Sequence, residues 1–148
     1  MEADMNIRDI LNQYYYDTTV CDLRQLGRTG GGELSYNSIM YLDVISYQQN
    51  DKGCTVSSLA KTLHISNSAA TLKVNELVKM NLVRKTRSET DRRVVYLSVT
   101  DVVADHLKSY DSPFERAVQA VEQKFSAQEI RIFCSVLMMF TEEYKKEI

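Results

Sequence analysis

Between Thr55 and Thr100 the apolar positions fall at helical spacing, fall so again after a three-residue gap, and finally alternate. Val56, Leu59, Ala60 and Leu63 recur as one side of a short helix, with Thr55 placed to cap it. Ala60 is small, as a helix needs to be where a second helix approaches closely. His64-Ile65-Ser66 forms the turn, with Ile65 as an apolar plug and Ser66 as the next N-cap. Ala70, Val74 and Leu77 then give a core face at i, i+4 and i+7, ending near Asn81, a residue that tolerates a left-handed C-cap. Further on, Val95, Leu97 and Val99 alternate with Tyr96, Ser98 and Thr100, the period of a half-buried strand. Leu82 to Lys85 is its expected antiparallel partner, and Arg87-Ser-Glu-Thr-Asp91-Arg92-Arg93 the solvent-exposed tip between them. Helix, turn, helix and hairpin in this order predict a winged helix-turn-helix: a mainly α fold with a small β-hairpin wing.

The flanking patterns are all helical. Ile7, Ile10, Leu11, Tyr14, Thr18 and Cys21 predict a first helix over about 7–26, its apolar stripe widened by Tyr15 and Val20. Gly27 and then Gly30-Gly31-Gly32 end it as a connector that lacks the Lys and Ser/Thr of a phosphate loop. Ser35 caps a helix through about Gln49, with Ile39, Met40, Leu42, Val44, Ile45 and Tyr47 apolar and Asp43 toward solvent. A further helix starts at Thr100-Asp101, and Pro113 should kink or break it near Asp111-Ser112. Ser126-x-x-Glu129 is a capping box opening the last helix. That helix is apolar nearly all round from 130 to 140, with Ile130, Phe133, Leu137, Phe140, Tyr144 and Ile148 as one stripe. Such a helix is covered by more than its own small domain, and a homodimer is the simplest cover. The organisation expected is one domain, with a DNA-binding lobe over 34–100 and dimerisation helices over 7–27 and 101–148.

Charge sharpens this picture. The 148 residues carry a net charge of −2, which by itself disfavours nucleic acid. From Lys52 to Thr100, however, nine Lys/Arg face three acids, a net +6, while the remainder holds nine against seventeen, a net −8. A basic segment in an acidic frame is an electrostatic footprint for phosphates. The alternative is a solvated charged loop. No apolar run approaches the roughly 20 residues that span a bilayer, so no membrane is expected. Met1 to Asn6 lacks an apolar signal core, and Cys21, Cys54 and Cys134 lack metal-ligand spacing. A cytoplasm with reduced thiols fits both facts.

The second helix of such a module can lie in a DNA major groove. Its outer face offers Asn67, Ser68, Thr71, Leu72, Asn75 and Glu76, with Lys73 beside them and Ser66 at its start, groups suited to base edges, sugars and phosphates. Arg87, Arg92 and Arg93 at the hairpin tip suit a narrow A·T-rich minor groove. Asp91-x-Arg93 followed by Tyr96-Leu97-Ser98-Val99-Thr100 resembles the wing of the MarR family of bacterial transcriptional regulators, and the likeness extends over about residues 7–146. The resemblance implies that Arg93 enters the minor groove, that Asp91 orients it, and that the first and last helices pair between subunits. Two departures stand out. Asp101-Val-Val-Ala lacks the glycine usual after the residue matching Thr100, and Leu72 occupies a position that is often Arg. Leu72 either touches a thymine methyl or packs against the wing or the preceding helix.

Other residues admit two readings. Tyr14, Tyr15, Tyr36 and Tyr41 either line a pocket for a small aromatic or phenolic effector, a reading by family analogy, or are ordinary core and interface tyrosines. Cys21 is either a redox switch or a structural thiol. His64 and His106 have no partner at helical ligand spacing, so no metal or cofactor is expected. No nucleophile elbow, zinc motif, P-loop or dinucleotide fingerprint is present, which disfavours an enzyme. The sequence therefore predicts a homodimeric regulator, a repressor, binding double-stranded DNA. A winged-helix adaptor for an acidic protein partner and a thiol-based sensor of the same fold are the alternatives.

Overall fold

A computed structural model describes residues 4–28 and 34–148. The element order is α1 (Ile7–Arg28), α2 (Tyr36–Asn50), α3 (Val56–Leu63), α4 (Asn67–Lys79), β1 (Val83–Arg87), β2 (Val95–Val99), α5 (Asp101–Lys108), α6 (Asp111–Lys124) and α7 (Ala127–Lys146). These fall into two units, Met1–His106 and Leu107–Ile148.

Hydroxyl groups begin four of the helices. Ser35, Thr55, Ser66 and Ser126 each accept a hydrogen bond from the backbone N–H three residues on, as their residue types predict. Thr55 and Ser126 sit in reciprocal capping boxes with Ser58 and Glu129. The Asn6 side-chain oxygen does the same for Asp9 N–H at the start of α1. Acids stand in the first turn of α1, α5, α6 and α7, but in none of α2, α3 and α4.

The core of the first unit is built by α2 to α5. Ile39, Leu42 and Ile45 of α2 meet Leu59 and Ala60 of α3, Ala70, Val74 and Leu77 of α4, then Leu82, Val83, Leu97, Val99 and Val103, all buried. The hairpin pairs Val83 with Val99, Lys85 with Leu97 and Arg87 with Val95. Two turns are closed by non-glycine residues in left-handed conformation, His64 (φ 53°) after α3 and Asn81 (φ 59°) after α4. Long-range bonds lock the assembly. Gln49 Oε1 accepts from Val99 N–H at 2.9 Å, and Gln48 reaches both Thr62 and Ser58 of α3. Leu97 N–H donates to Cys54 O at 2.7 Å, so the hairpin is pinned beside the start of α3. Gly53, at φ +87°, gives way to the Tyr96 ring: a Cβ there would lie 2.8 Å from it.

Several boundaries differ from expectation. Leu82 does not open the strand, because its N–H donates to Leu77 O and belongs to the turn that ends α4; β1 starts at Val83 and runs to Arg87. α1 continues through Gly27 to Arg28, a glycine in a last turn costing only about 1 kcal/mol. The Gly30-Gly31-Gly32 connector lies outside the described residues. The chain after Thr100 forms α5 and then, past Ser109-Tyr110, α6 with Pro113 in its first turn. Proline is tolerated there because that N–H has no helical partner. In the second unit α6 and α7 have no buried residue. Ile132, Phe133, Val136, Met138, Met139 and Phe140 of α7 stand exposed. Among the described residues no helix is long and apolar enough to cross a membrane.

Candidate nucleic-acid interface

Helix α4 is seated on the core through Ala70, Val74 and Leu77, and this fixes what it presents outward. Asn67, Ser68, Thr71, Leu72 and Asn75 are exposed. Leu72 is 73% accessible, so it is no packing element of this chain; of its two readings, packing against the wing or α3 does not hold. Ser66 is exposed at the helix start, its Oγ accepting from Ala69 N–H at 3.0 Å, which leaves its own O–H to donate outward. His64 is exposed in the turn.

Lys73 departs from the expected set. Its side chain is only 15% accessible, and its ammonium donates to Ser38 Oγ of α2 at 3.1 Å. It lies on the flank of the core stripe, and its aliphatic stem follows the helix toward α2 instead of toward solvent.

Lys85 is a residue that the sequence reading left out. Its ammonium donates to Asn75 Oδ1 at 2.7 Å. An ammonium has only donors, so the Asn75 amide oxygen is turned to β1 and its NH2 is left to the open side. The strand register holds the missed signal. Lys85 sits opposite Leu97, which is buried, and cross-strand partners share a face. That face is the one toward α4.

The wing tip is ordered by its own polar groups. Ser88 Oγ accepts from the N–H groups of Thr90 and Asp91, both at 3.3 Å, and Ser88 N–H donates to Val94 O at 2.9 Å. Asp91 Oδ1 accepts from Arg93 N–H at 3.1 Å and from Arg93 Nε at 3.4 Å. Arg87 Nη1 donates to Arg92 O at 2.8 Å, closing the base of the tip. Arg93 remains 93% accessible along its side chain. The arrangement holds one guanidinium extended on a carboxylate strut, with Arg92 exposed beside it.

The other candidates separate. Tyr15 and Tyr36 are both exposed; desolvation, then Asp22, Tyr15 and Asp43, push the Tyr36 phenol up, and a Thr19 hydrogen bond pulls it back. Tyr14 is exposed, and the Tyr41 ring is instead engaged by Lys73, 5.5 Å from its centroid. Asp43 lies at an exposed position, as expected, yet its surroundings push its carboxyl up, first by desolvation and then by Asp22, with His106 acting against them. Cys21 and Cys134 are exposed thiols, and Cys54 is buried, with burial pushing its thiol up and Ser58 pulling it back. Among the described residues no group of three or more His, Cys, Asp and Glu is placed to hold a metal. The second unit has an apolar groove of about 400 Å³ lined by Val121, Phe125, Glu129, Ile130 and Phe133.

The MarR family model matches residues 34–95. The transcriptional regulator AdcR of Streptococcus pyogenes serotype M6 is 32% identical over 93 residues, 60% of this chain and 63% of that protein. The transcriptional regulator ZitR of Lactococcus lactis subsp. cremoris is 27% identical over 94 residues, 62% and 65% of the two chains. The chain thus spans less than two thirds of the length of the curated relatives it matches. In three dimensions it resembles Streptococcus pneumoniae FabT, solved in complex with DNA, with a TM-score of 0.64 at 21% identity over 95% of this chain and 99% of that one. The fold is therefore that of a winged helix-turn-helix, mainly α with a two-stranded hairpin, and within it residues 34–95 are similar to the MarR family.

Proposed function

We propose that this chain is a transcriptional repressor that binds double-stranded DNA sequence-specifically as a homodimer in the cytoplasm. The observation that carries the reading is the wing: Arg93 held extended by Asp91 beside an exposed α4 face of short polar groups and Leu72. In this reading α4 enters the major groove. Thr71, Leu72 and Asn75 meet base edges, Ser66, Asn67 and Ser68 hold phosphates, and Arg93 probes the minor groove, with Arg87 and Arg92 near the backbone. Lys85 adds positive charge beside Asn75. The naming of AdcR and ZitR as transcriptional regulators supports this reading, as does the FabT complex with DNA. The chain's work is then binding, not catalysis.

Dimerisation is supported by the bare apolar surface of α7 and by the groove between Val121 and Phe133. Burying such surface contributes about 25 cal/mol per Å², which favours a second copy over water. A small aromatic effector that releases the repressor belongs to this reading by family analogy. Selection of genomic fragments by the purified protein, followed by binding isotherms at several salt concentrations, tests the proposal. Salt-dependent, sequence-selective duplex binding to an inverted repeat is the expected result. Binding to an acidic protein with no preference among duplexes would overturn it in favour of an adaptor.

A further inference from the structure

Lys73 lies between Leu72, which faces outward, and Val74, which is buried in the core. Its ammonium is gathered by three groups: Ser38 Oγ at 3.1 Å, Glu76 Oε1 at 3.4 Å and the Tyr41 ring at 5.5 Å. Ser38 is a polar residue of the core, 2% accessible, and 35 residues distant in sequence. Its hydroxyl also accepts from the Oγ of Ser35, the N-cap of α2, at 2.9 Å. A hydroxyl oxygen has two lone pairs, and these two donors occupy them. Swinging Lys73 out to a phosphate would take a charge-assisted donor from a buried oxygen and the cation from the Tyr41 ring. Such a loss opposes the gain from one exposed phosphate contact, because a hydrogen bond to a charged group counts for more in the interior than in water.

We propose that Lys73 is a positioning residue of the recognition helix. It straps α4 to the first turns of α2 through Ser38 and Tyr41, and it makes no phosphate contact. The inference rests on the DNA-binding reading and adds to it. A helix seated on Ala70, Val74 and Leu77 can still roll about its axis, and a roll moves Leu72 and Asn75 across the groove floor. The strap acts off the core stripe, on one flank, where it opposes that roll. Base readout depends on this placement, whereas attraction to phosphates at large does not.

The test compares wild type, Lys73→Met and Ser38→Ala on the selected operator and on a scrambled duplex, across a series of salt concentrations. In both variants the operator affinity should fall about tenfold, equivalent to about 1.4 kcal/mol, with binding to the scrambled duplex unchanged. The slope of log affinity against log salt should stay at the wild-type value, and the double variant should be no worse than either single one. A slope reduced by about one in Lys73→Met would mark a lost phosphate contact and overturn the proposal. Ser38→Ala removes no charge and is the safeguard should Lys73→Met unfold, as a thermal melt would reveal. An operator-to-scrambled ratio at the wild-type value in Ser38→Ala would overturn the proposal too. Wild-type protein showing no salt-dependent duplex binding would instead remove the DNA-binding reading, and this inference with it.

Discussion

Removing Asp91 should weaken DNA binding even though it removes a negative charge from a surface that meets a polyanion. By charge alone Asp91→Ala should tighten the complex: a unit charge about 6 Å from a phosphate in water is worth about 0.7 kcal/mol. The geometry argues the reverse. Asp91 Oδ1 accepts from both the N–H and the Nε of Arg93, at 3.1 and 3.4 Å, so its loss frees the guanidinium and the backbone that carries it. Arg93→Ala should weaken operator binding by about 1–3 kcal/mol, the scale of one groove-reading arginine. Asp91→Ala should forfeit most of that and regain the smaller charge term, a net loss of about 1–2 kcal/mol. Adding it to Arg93→Ala should cost nothing further and regain up to about 0.7 kcal/mol, because the strut then has nothing to hold and only the charge term is left. The pair is exposed, and such ion pairs contribute about 0–1 kcal/mol to folding, so melts of all three variants should nearly superimpose on wild type. Titration calorimetry or anisotropy on one operator duplex measures the three affinities. Tighter binding by Asp91→Ala, or isotherms unchanged in both single variants, would refute the minor-groove role and the strut with it.

Three further outcomes are expected. Leu137→Asp on α7 should yield monomer or aggregate and lose tight binding to a palindrome; sedimentation of a well-folded wild-type monomer at micromolar concentration would defeat the dimer. Leu72 should prefer A·T-rich half-sites, and replacing the contacted thymine by uracil should cost wild type about 0.8 kcal/mol, the scale of one methyl-sized group, while leaving Leu72→Ala indifferent; equal losses in both proteins would remove the contact. The Asp43 carboxyl is pushed up in the folded chain by desolvation and Asp22, so its stabilising, protonated form is fully present below the unfolded value and is lost as pH rises through the raised one. Asp43→Asn should therefore raise Tm at neutral pH and converge with wild type in acid, and a lowered Tm at neutral pH would contradict that sign.

What the sequence disclosed was set by short-range chemistry. Ser35, Thr55, Ser66 and Ser126 cap because a hydroxyl one residue before a helical run has an N–H within reach. Ala70, Val74 and Leu77 are buried because helical spacing puts them on one side. The Asp91–Arg93 strut needed only two residues of separation. Long-range partners decided the rest. Nothing near Lys73 announces Ser38, which settles whether that lysine faces DNA or α2. Gln48 and Gln49 look like surface residues until α3 and β2 arrive as their partners. Lys85 reads as part of a hairpin edge until the register sets it opposite Leu97 and under Asn75. A bare apolar α7 was legible as a helix too greasy for its own unit, and the structure leaves it exposed.

The helix starts divide in a way that formal charge does not record. Each helix carries about half a positive charge at its N-terminal end, from aligned peptide dipoles. In α1, α5, α6 and α7 an acid in the first turn offsets that pole, whereas α2, α3 and α4 have none. Their caps Ser35, Thr55 and Ser66 are hydroxyls, which do not ionise. The N-terminal ends of α2, α3 and α4 thus each keep a local positive field made of backbone alone. That field persists whatever the pH, survives any exchange of lysines and arginines for neutral residues, and fades only as salt screens it.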